Sequence, residues 1–419
     1  MKTFLRTFGL WIGAAIICAA APLIFNSGFS VSLLSQMGIA IIFALSYNML
    51  LGQGGMLSFG HAVYYGMGGF LAMHGINMIG GGTLPVPIEL SPLIGALGGL
   101  VSGVFLGWIS TGRAGTTFAL ISLGIGELIA SSALMLPSFF GGENGVSADR
   151  MVGNTLTPFE FGQSIEVYYL IAIWMFVCVI LMYLLTKTPL GSLANAVRDN
   201  PERAAFIGYN IRSVRTIQFS LSALFAGVAG GLFAITYEII TAETIGATPS
   251  GNVLMMTYIG GIGHFFGPIL GAVLVTLMQL FLSAVTPAWL LYFGLMFVGM
   301  VLWAPMGLAG IIMSHEPVWK AGLMKRLLPS YTLIALPILS MFLGAMSLIE
   351  INYHLSLSSQ PEDPMHLMGL TFQSQSPGPW IISIILFLVG FFFFLKARKR
   401  VKQSWNDVLQ AIKQGGASK

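Results

Sequence analysis

Residues 167–185 read VYYLIAIWMFVCVILMYLL, and residues 186–215 continue TKTPLGSLANAVRDNPERAAFIGYNIRSVR. The first stretch carries no charge and is long enough to cross a bilayer, which takes about 20 mostly apolar residues. The second is polar, basic and punctuated by Pro189, Gly191 and Pro201. One apolar span delivering its chain into one basic loop is the unit from which the rest of the sequence is read. Lys187, Arg198, Arg203, Arg212 and Arg215 crowd that loop, and basic residues accumulate on the cytoplasmic side of membrane proteins.

The same apolar signal recurs along the chain. Spans are expected at 10–25, 31–51, 56–79, 90–109, 114–136, 167–185 and 217–239, then at 289–303, 331–348 and 380–395. Two shorter apolar pieces, 253–262 and 268–282, lie between. Of the 419 residues 56% are hydrophobic and 8% are charged, against about 25% charged in soluble domains. The expected fold is therefore all-α, a polytopic transmembrane helix bundle of about ten spans plus a re-entrant half-helix pair. Residues 1–30 form an N-terminal transmembrane helix, 31–310 the main body, and 311–419 an extra C-terminal pair of spans with a basic tail. Lys2 and Arg6 before an apolar run ending near Ala19-Ala20-Ala21 also suit a leader peptide. Pro22 and the span that follows at once favour a retained helix.

Orientation follows from the charges. Placing Lys2/Arg6, the loop 186–215, Lys320/Lys325/Arg326 and the cluster Lys396–Lys402 in the cytoplasm makes the spans alternate. The piece 253–262 then enters from outside and the helix after it returns there. Of the 19 basic residues, Arg150 alone falls outside, among Glu143, Asp149, Glu160 and Glu166. Glu350, Glu362 and Asp363 also fall outside, and both termini are cytoplasmic.

Glycine sets the packing. Gly95, Gly99, Gly103 and Gly107 recur every four residues, so they share one helix face, and Gly227 and Gly231 repeat the spacing. Such ridges let helices approach closely. Gly60-His61-Ala62-Val63-Tyr64-Tyr65-Gly66 echoes Gly263-His264-Phe265-Phe266-Gly267, a faint internal repeat beside broken helices, where transport sites often lie.

Chemistry-bearing motifs are sparse. No phosphate-binding loop of the Gly-x-x-x-x-Gly-Lys-Ser/Thr form occurs, so nucleotide hydrolysis is not expected from this chain. Cys18 and Cys178 lie in apolar runs, and the histidines show no His-x-x-x-His spacing, so neither a metal nor a cofactor is expected. The net charge of +4 gives no reason to expect nucleic acid. Glu127 is the one acidic residue deep within a span, where ionisable groups usually have a function. It is a candidate for the substrate path, with His61 and His264 beside it as weaker ones. A carrier driven by ions usually needs several intramembrane charges, which argues against one acting alone.

In the loop, Leu193, Ala194 and Val197 fall at helical spacing. Asn200 suits the cap of a second helix with Pro201 at its first position. A small helix-turn-helix of this kind suits docking to a cytoplasmic partner. Here the sequence resembles the permease subunits of bacterial ATP-binding-cassette importers of the LivM-like, branched-chain amino acid family. The family segment TPxGRxLxAxRxNxxxAxxxGxN is similar to Thr188, Pro189, Gly191, Leu193, Ala196, Arg198, Asn200, Ala204, Gly208 and Asn210, with Ser192 in place of its arginine. Asn48–Gly52 with Leu57–His61, Phe118–Leu123 with Glu127-Leu128, and Phe139–Gly145 resemble further family motifs. The resemblance covers 31–310.

It implies an inner-membrane permease, not an enzyme, that works with a homologous permease subunit, two cytoplasmic ATPases, a periplasmic substrate-binding protein and membrane lipid. Leu193, Ala194, Val197, Arg198, Asn200 and Arg203 would form the loop that couples to the ATPase. The apolar three would enter a groove, and Arg198 and Arg203 would meet acids at its rim. The solute would be a branched-chain amino acid, with urea, short amides or an aromatic carboxylate as alternatives.

Overall fold

The computed structural model describes residues 2–357, 365–367 and 370–416; Glu362 and Asp363 lie outside them. Helices follow one another as α1 (Lys2–Ile24), α2 (Gly28–Asn48), α3 (Ala62–Gly80), α4 (Ser91–Ser110), α5 (Thr116–Met135), the single turn α6 (Pro137–Phe140), α7 (Ser164–Lys187), α8 (Pro189–Asp199), α9 (Pro201–Phe206) and α10 (Ile211–Tyr237). After these come α11 (Ala247–Gly260), α12 (Gly267–Val285), α13 (Trp289–Trp303), α14 (Gly307–Lys320), α15 (Met324–Leu357) and α16 (Pro377–Gly416). Two antiparallel two-stranded ribbons complete the order: β1 (Val146–Ser147) with β2 (Ile239–Ile240), and β3 (Met365–Leu367) with β4 (Leu370–Phe372). An all-helical bundle is what a bilayer demands, since a helix satisfies its own backbone groups.

The chain forms two compact units, Met1–Ala284 with Phe293–Gly310, and Val285–Tyr292 with Ile311–Lys419. In the first, α10 is the central helix, packed chiefly on α4, α3 and α2. The glycine ridge explains why. A Cβ on Gly95 would lie 2.6 Å from the Gly227 carbonyl oxygen, and one on Gly107 would lie 2.7 Å from a Phe219 ring carbon. The two backbones therefore nearly touch at Gly95 and Gly99, while Gly103 and Gly107 make room for Ala223 and Phe219. In the second unit α15 and α16 pair, and Tyr292 donates a hydrogen bond of 2.8 Å to Glu350.

Among the described residues, eight helices are long and apolar enough to cross a membrane, or nine if the broken pair α13–α14 counts as one span. The sequence expectation of about ten differs from this count at two helices. In α1 the described side chains give the apolar stretch Trp11–Ile24, and α3 is less hydrophobic than the eight. It is buried on most sides instead, and glycine, tyrosine and histidine lower its hydropathy. The expected half-helix and returning helix are unequal in length. α11 has 14 residues and is short, but α12 has 19 and is full length. The turn between them reaches the end of the bundle that carries the loop 186–215, because Gly263, His264 and Phe265 line a cavity with Lys187 and Arg198.

One local departure from helix matters for function. After Asn48, α2 widens into a π-helical turn, Met49–Gln53, and the chain then runs without regular structure to His61. Short π segments of this kind are frequent at functional sites. Polar side chains hold the irregular stretch in the bundle. Tyr47 donates to the Ser58 carbonyl at 2.8 Å, the Phe59 amide donates to Ser122 Oγ at 3.0 Å, and the Ala62 amide donates to Ser250 Oγ at 3.1 Å.

Candidate functional site

The loop 186–215 folds as its caps dictate. Thr188 Oγ1 accepts from the Gly191 amide at 3.3 Å and opens α8; Asn200 Oδ1 accepts from the Arg203 amide at 2.9 Å and opens α9; Asn210 Oδ1 accepts from the Ser213 amide at 3.1 Å and opens α10. Each cap satisfies a helix N-terminal donor that has no partner within its helix. Gly208 turns the chain between α9 and α10 with φ +99.

The apolar stripe points the other way from what docking requires. Ala194 is 2% exposed and Val197 1%, and Val197 forms a small core with Ala204 and Val214, against which Leu193 and Ile211 pack. These side chains hold the helix pair onto α10, so they are not free to enter a partner's groove. The apolar side chains presented outward are Phe206, 91% exposed, and Ile207, 70% exposed, at the tip of α9. The sequence signal for them was present, as an apolar pair just after a short capped helix, but the inward stripe masked it. Arg203 is exposed beside them. Arg198 is not turned to a rim. Its Nε meets Asp199 Oδ1 at 2.9 Å, and its Nη1 donates to the Gly52 carbonyl in the π-turn of α2.

At the opposite end lies a cavity of about 820 Å³ among α2, α3, α10, α11 and α12. Its walls are apolar at Ile39, Phe43, Phe233 and Val253, and polar at Gln36, Asn252 and Gln279. Among the described residues, Glu243 is the one charged residue lining it. Arg150 braces this region. Its guanidinium donates to the Ile235 and Thr236 carbonyls at 3.3 and 3.1 Å, at the C-terminal end of α10, and lies 3.7 Å from Glu238. That cation at a helix C-terminus is favourably placed, which accounts for the one basic residue among acidic neighbours.

The three path candidates are not brought together. His61 is fully buried and lies behind the cavity wall, stacked on Phe43 with ring centroids 5.6 Å apart. Ser46 Oγ donates to the Phe43 carbonyl at 2.7 Å, so at 3.1 Å it accepts from His61 Nε2; Nδ1 has no partner among the described residues. His264 lines the smaller cavity of about 490 Å³ beside Arg198. Glu127 lies on the exposed face of α5 and makes no hydrogen bond or ion pair among the described residues. Ser122, five residues before it on the buried side of α5, is engaged with the Ala119 carbonyl and the Phe59 amide.

A transmembrane bundle with a basic capped loop at one end and an apolar-walled cavity at the other has the form of a transport protein. The sequence matches the family described as "Branched-chain amino acid transport system / permease component" over residues 29–305, about two thirds of the chain. The chain belongs to that family. The permease is 27% identical over 316 residues to the high-affinity branched-chain amino acid transport system permease protein LivM of Salmonella typhimurium, covering 70% of this chain and 72% of that one. It is 26% identical to LivM of Escherichia coli K12 over 326 residues, 71% and 74% of the two chains. It is also 27% identical to the autoinducer 2 import system permease protein LsrC of Escherichia coli O9:H4 over 226 residues, 51% and 61%. No solved structure matches. The permease is a membrane transport component and not an enzyme.

Proposed function

We propose that this permease is the transmembrane subunit of an ATP-binding-cassette importer in a bacterial inner membrane. It passes branched-chain amino acids inward, and its energy comes from separate ATPases that dock on the loop 186–215. The observation that carries this reading is the tip of α9. A rigid, doubly capped helix pair presents Phe206 and Ile207 to solvent, on a loop whose own apolar stripe is already buried. Aromatic side chains exposed on an ordered scaffold are the usual anchors of protein interfaces. The basic clusters support a cytoplasmic position for this loop and for both termini.

The far cavity supports the solute. Apolar walls suit a branched aliphatic body, and a lone carboxylate at Glu243 among amide side chains suits an ammonium end. The LsrC relative favours a second reading, a polar uncharged solute like autoinducer 2, for which the amides Gln36, Asn252 and Gln279 would carry recognition. A periplasmic binding protein delivers the solute, and a homologous permease completes the path. ATP-driven leucine uptake by the reconstituted complex, competed by isoleucine and valine, tests the reading; competition by autoinducer 2 and not by these amino acids would favour the second.

Glu127 belongs to the interface with that second permease. A carboxylate facing lipid near mid-span costs about 3 kcal/mol, so the exposed face of α5 is expected to be covered or wetted in the assembly. Glu127→Gln is expected to lower uptake several-fold, on the scale of one charged hydrogen bond, with the chain at normal abundance. Unchanged uptake at normal abundance would leave Glu127 no part in that interface.

A further inference from the structure

Two motifs 146 residues apart in sequence are joined in space on the loop side. Arg198 of α8 lies across the π-turn of α2 and donates to the Gly52 carbonyl. Gly55, with φ +66, leaves room for it, since a Cβ there would sit 2.6 Å from Arg198 Cγ. From the other side, Gln218 of α10 donates to the Met49 carbonyl at 2.9 Å and to Gln53 Oε1 at 3.3 Å. The π-turn is thus gripped between the helix pair and the central helix.

Its upper side leads to the solute cavity through contacts that are buried throughout. Ser46 and Tyr47, just before the turn, hold His61 and the Ser58 carbonyl. His61 stacks on Phe43, and Phe43 meets Tyr65 at 4.6 Å between ring centroids. Phe43 and Tyr65 are both walls of the 820 Å³ cavity.

We propose that Arg198 is a positioning residue that carries movement of the loop 186–215 into the π-turn of α2, and so to the Phe43–Tyr65 wall of the solute cavity. The inference rests on the reading that this loop receives the ATPase. The physical basis is that a π-turn lacks the regular hydrogen-bond ladder of an α-helix and is a common place for a helix to yield. Close-packed surroundings pass its displacement on instead of absorbing it. A single donor on a backbone carbonyl suffices as the link, because the charged guanidinium makes a strong hydrogen bond. His61 and Phe43 then follow α2 as one body.

The test uses the complete importer, with its ATPases, partner permease and binding protein, in proteoliposomes. Solute uptake is measured per ATP hydrolysed. Arg198→Ala is expected to keep the ATPase in the purified complex and to keep hydrolysis within about twofold, while uptake per ATP falls about tenfold, the worth of one charged hydrogen bond. Arg198→Lys should recover part of it, as one donor still reaches one carbonyl. Unchanged uptake per ATP in Arg198→Ala, or loss of the assembled complex, would overturn the proposal. A second arm replaces the contact covalently. In an Arg198→Ala chain with Cys18 and Cys178 changed to alanine, Gln53→Cys and Asn195→Cys are joined by a short bis-maleimide, which adds to both thiols; both positions line the cavity beside Arg198. The tether is expected to restore uptake per ATP; a formed tether without recovery contradicts the role. Failure of the docking reading is distinguishable, since it shows in Phe206→Asp as normal ATPase retention with normal uptake.

Discussion

Phe206→Asp is expected to strip the ATPase from the purified complex and to abolish ATP-driven uptake, while the permease itself remains at normal abundance. Phe206 is 91% exposed in the chain, so its removal leaves the bundle's packing untouched. Surface substitutions of this kind change stability by about 0.5 kcal/mol or less. Losing an aromatic anchor from an interface costs on the order of 2 kcal/mol or more, about thirtyfold in affinity, and a buried aspartate adds a desolvation penalty. The measurement is copurification of the ATPase alongside uptake in vesicles. Ala194→Glu makes the contrast. At 2% exposure this change drives a charge beneath the helix pair, so it is expected to lower abundance before it reports on docking. A Phe206→Asp complex that retains its ATPase and transports normally would move the docking surface elsewhere.

Gly227→Ala is expected to cost the fold itself. Gly227 of α10 faces Gly99 of α4, and an added Cβ would sit 2.9 Å from both the amide nitrogen and the Cα of Gly99. Those atoms are backbone and cannot rotate aside, so α4 and α10 must separate. Overpacking of this kind costs about 1–3 kcal/mol, and the displaced ridge also loses dispersion contacts along its length. The expected readout is a large drop in membrane abundance and in thermal stability of the purified chain, with uptake falling in proportion. Gly294→Ala is the control, since a Cβ there meets nothing within 4 Å. Equal abundance for the two variants would mean that the α4–α10 crossing is looser than the structure shows.

The ridge was legible in the sequence because a four-residue glycine repeat has one physical use in a membrane helix. Most spans were legible too, since the bilayer imposes both length and composition. α3 is less hydrophobic than the other long helices because it is enclosed by them and carries glycine, tyrosine and histidine, a distinction an apolar count does not make. α12 runs four residues beyond the expected 268–282, one at Gly267 and three at 283–285, ends that hydropathy leaves open.

In the loop, the caps at Thr188, Asn200 and Asn210 could be read from residue type alone, because each satisfies a local donor. The direction of the stripe could not. Amphipathic spacing says that Ala194 and Val197 are buried, and not whether the chain's own α10 or a partner buries them. The same gap separates Glu127, on an open face of α5, from His61, sealed behind Phe43. The link between Arg198 and Gly52 joins residues 146 apart, and no local pattern announces it.

The measurement that bears most directly on the account is leucine uptake into proteoliposomes that contain this permease with its partner permease, loaded binding protein and ATPases. Uptake is followed with ATP supplied on the ATPase side, without ATP, and with the ATPases left out. The account predicts uptake only in the first case, competed by isoleucine and valine. Leucine accumulation by the permease alone, driven by an ion gradient and indifferent to ATP, would contradict it.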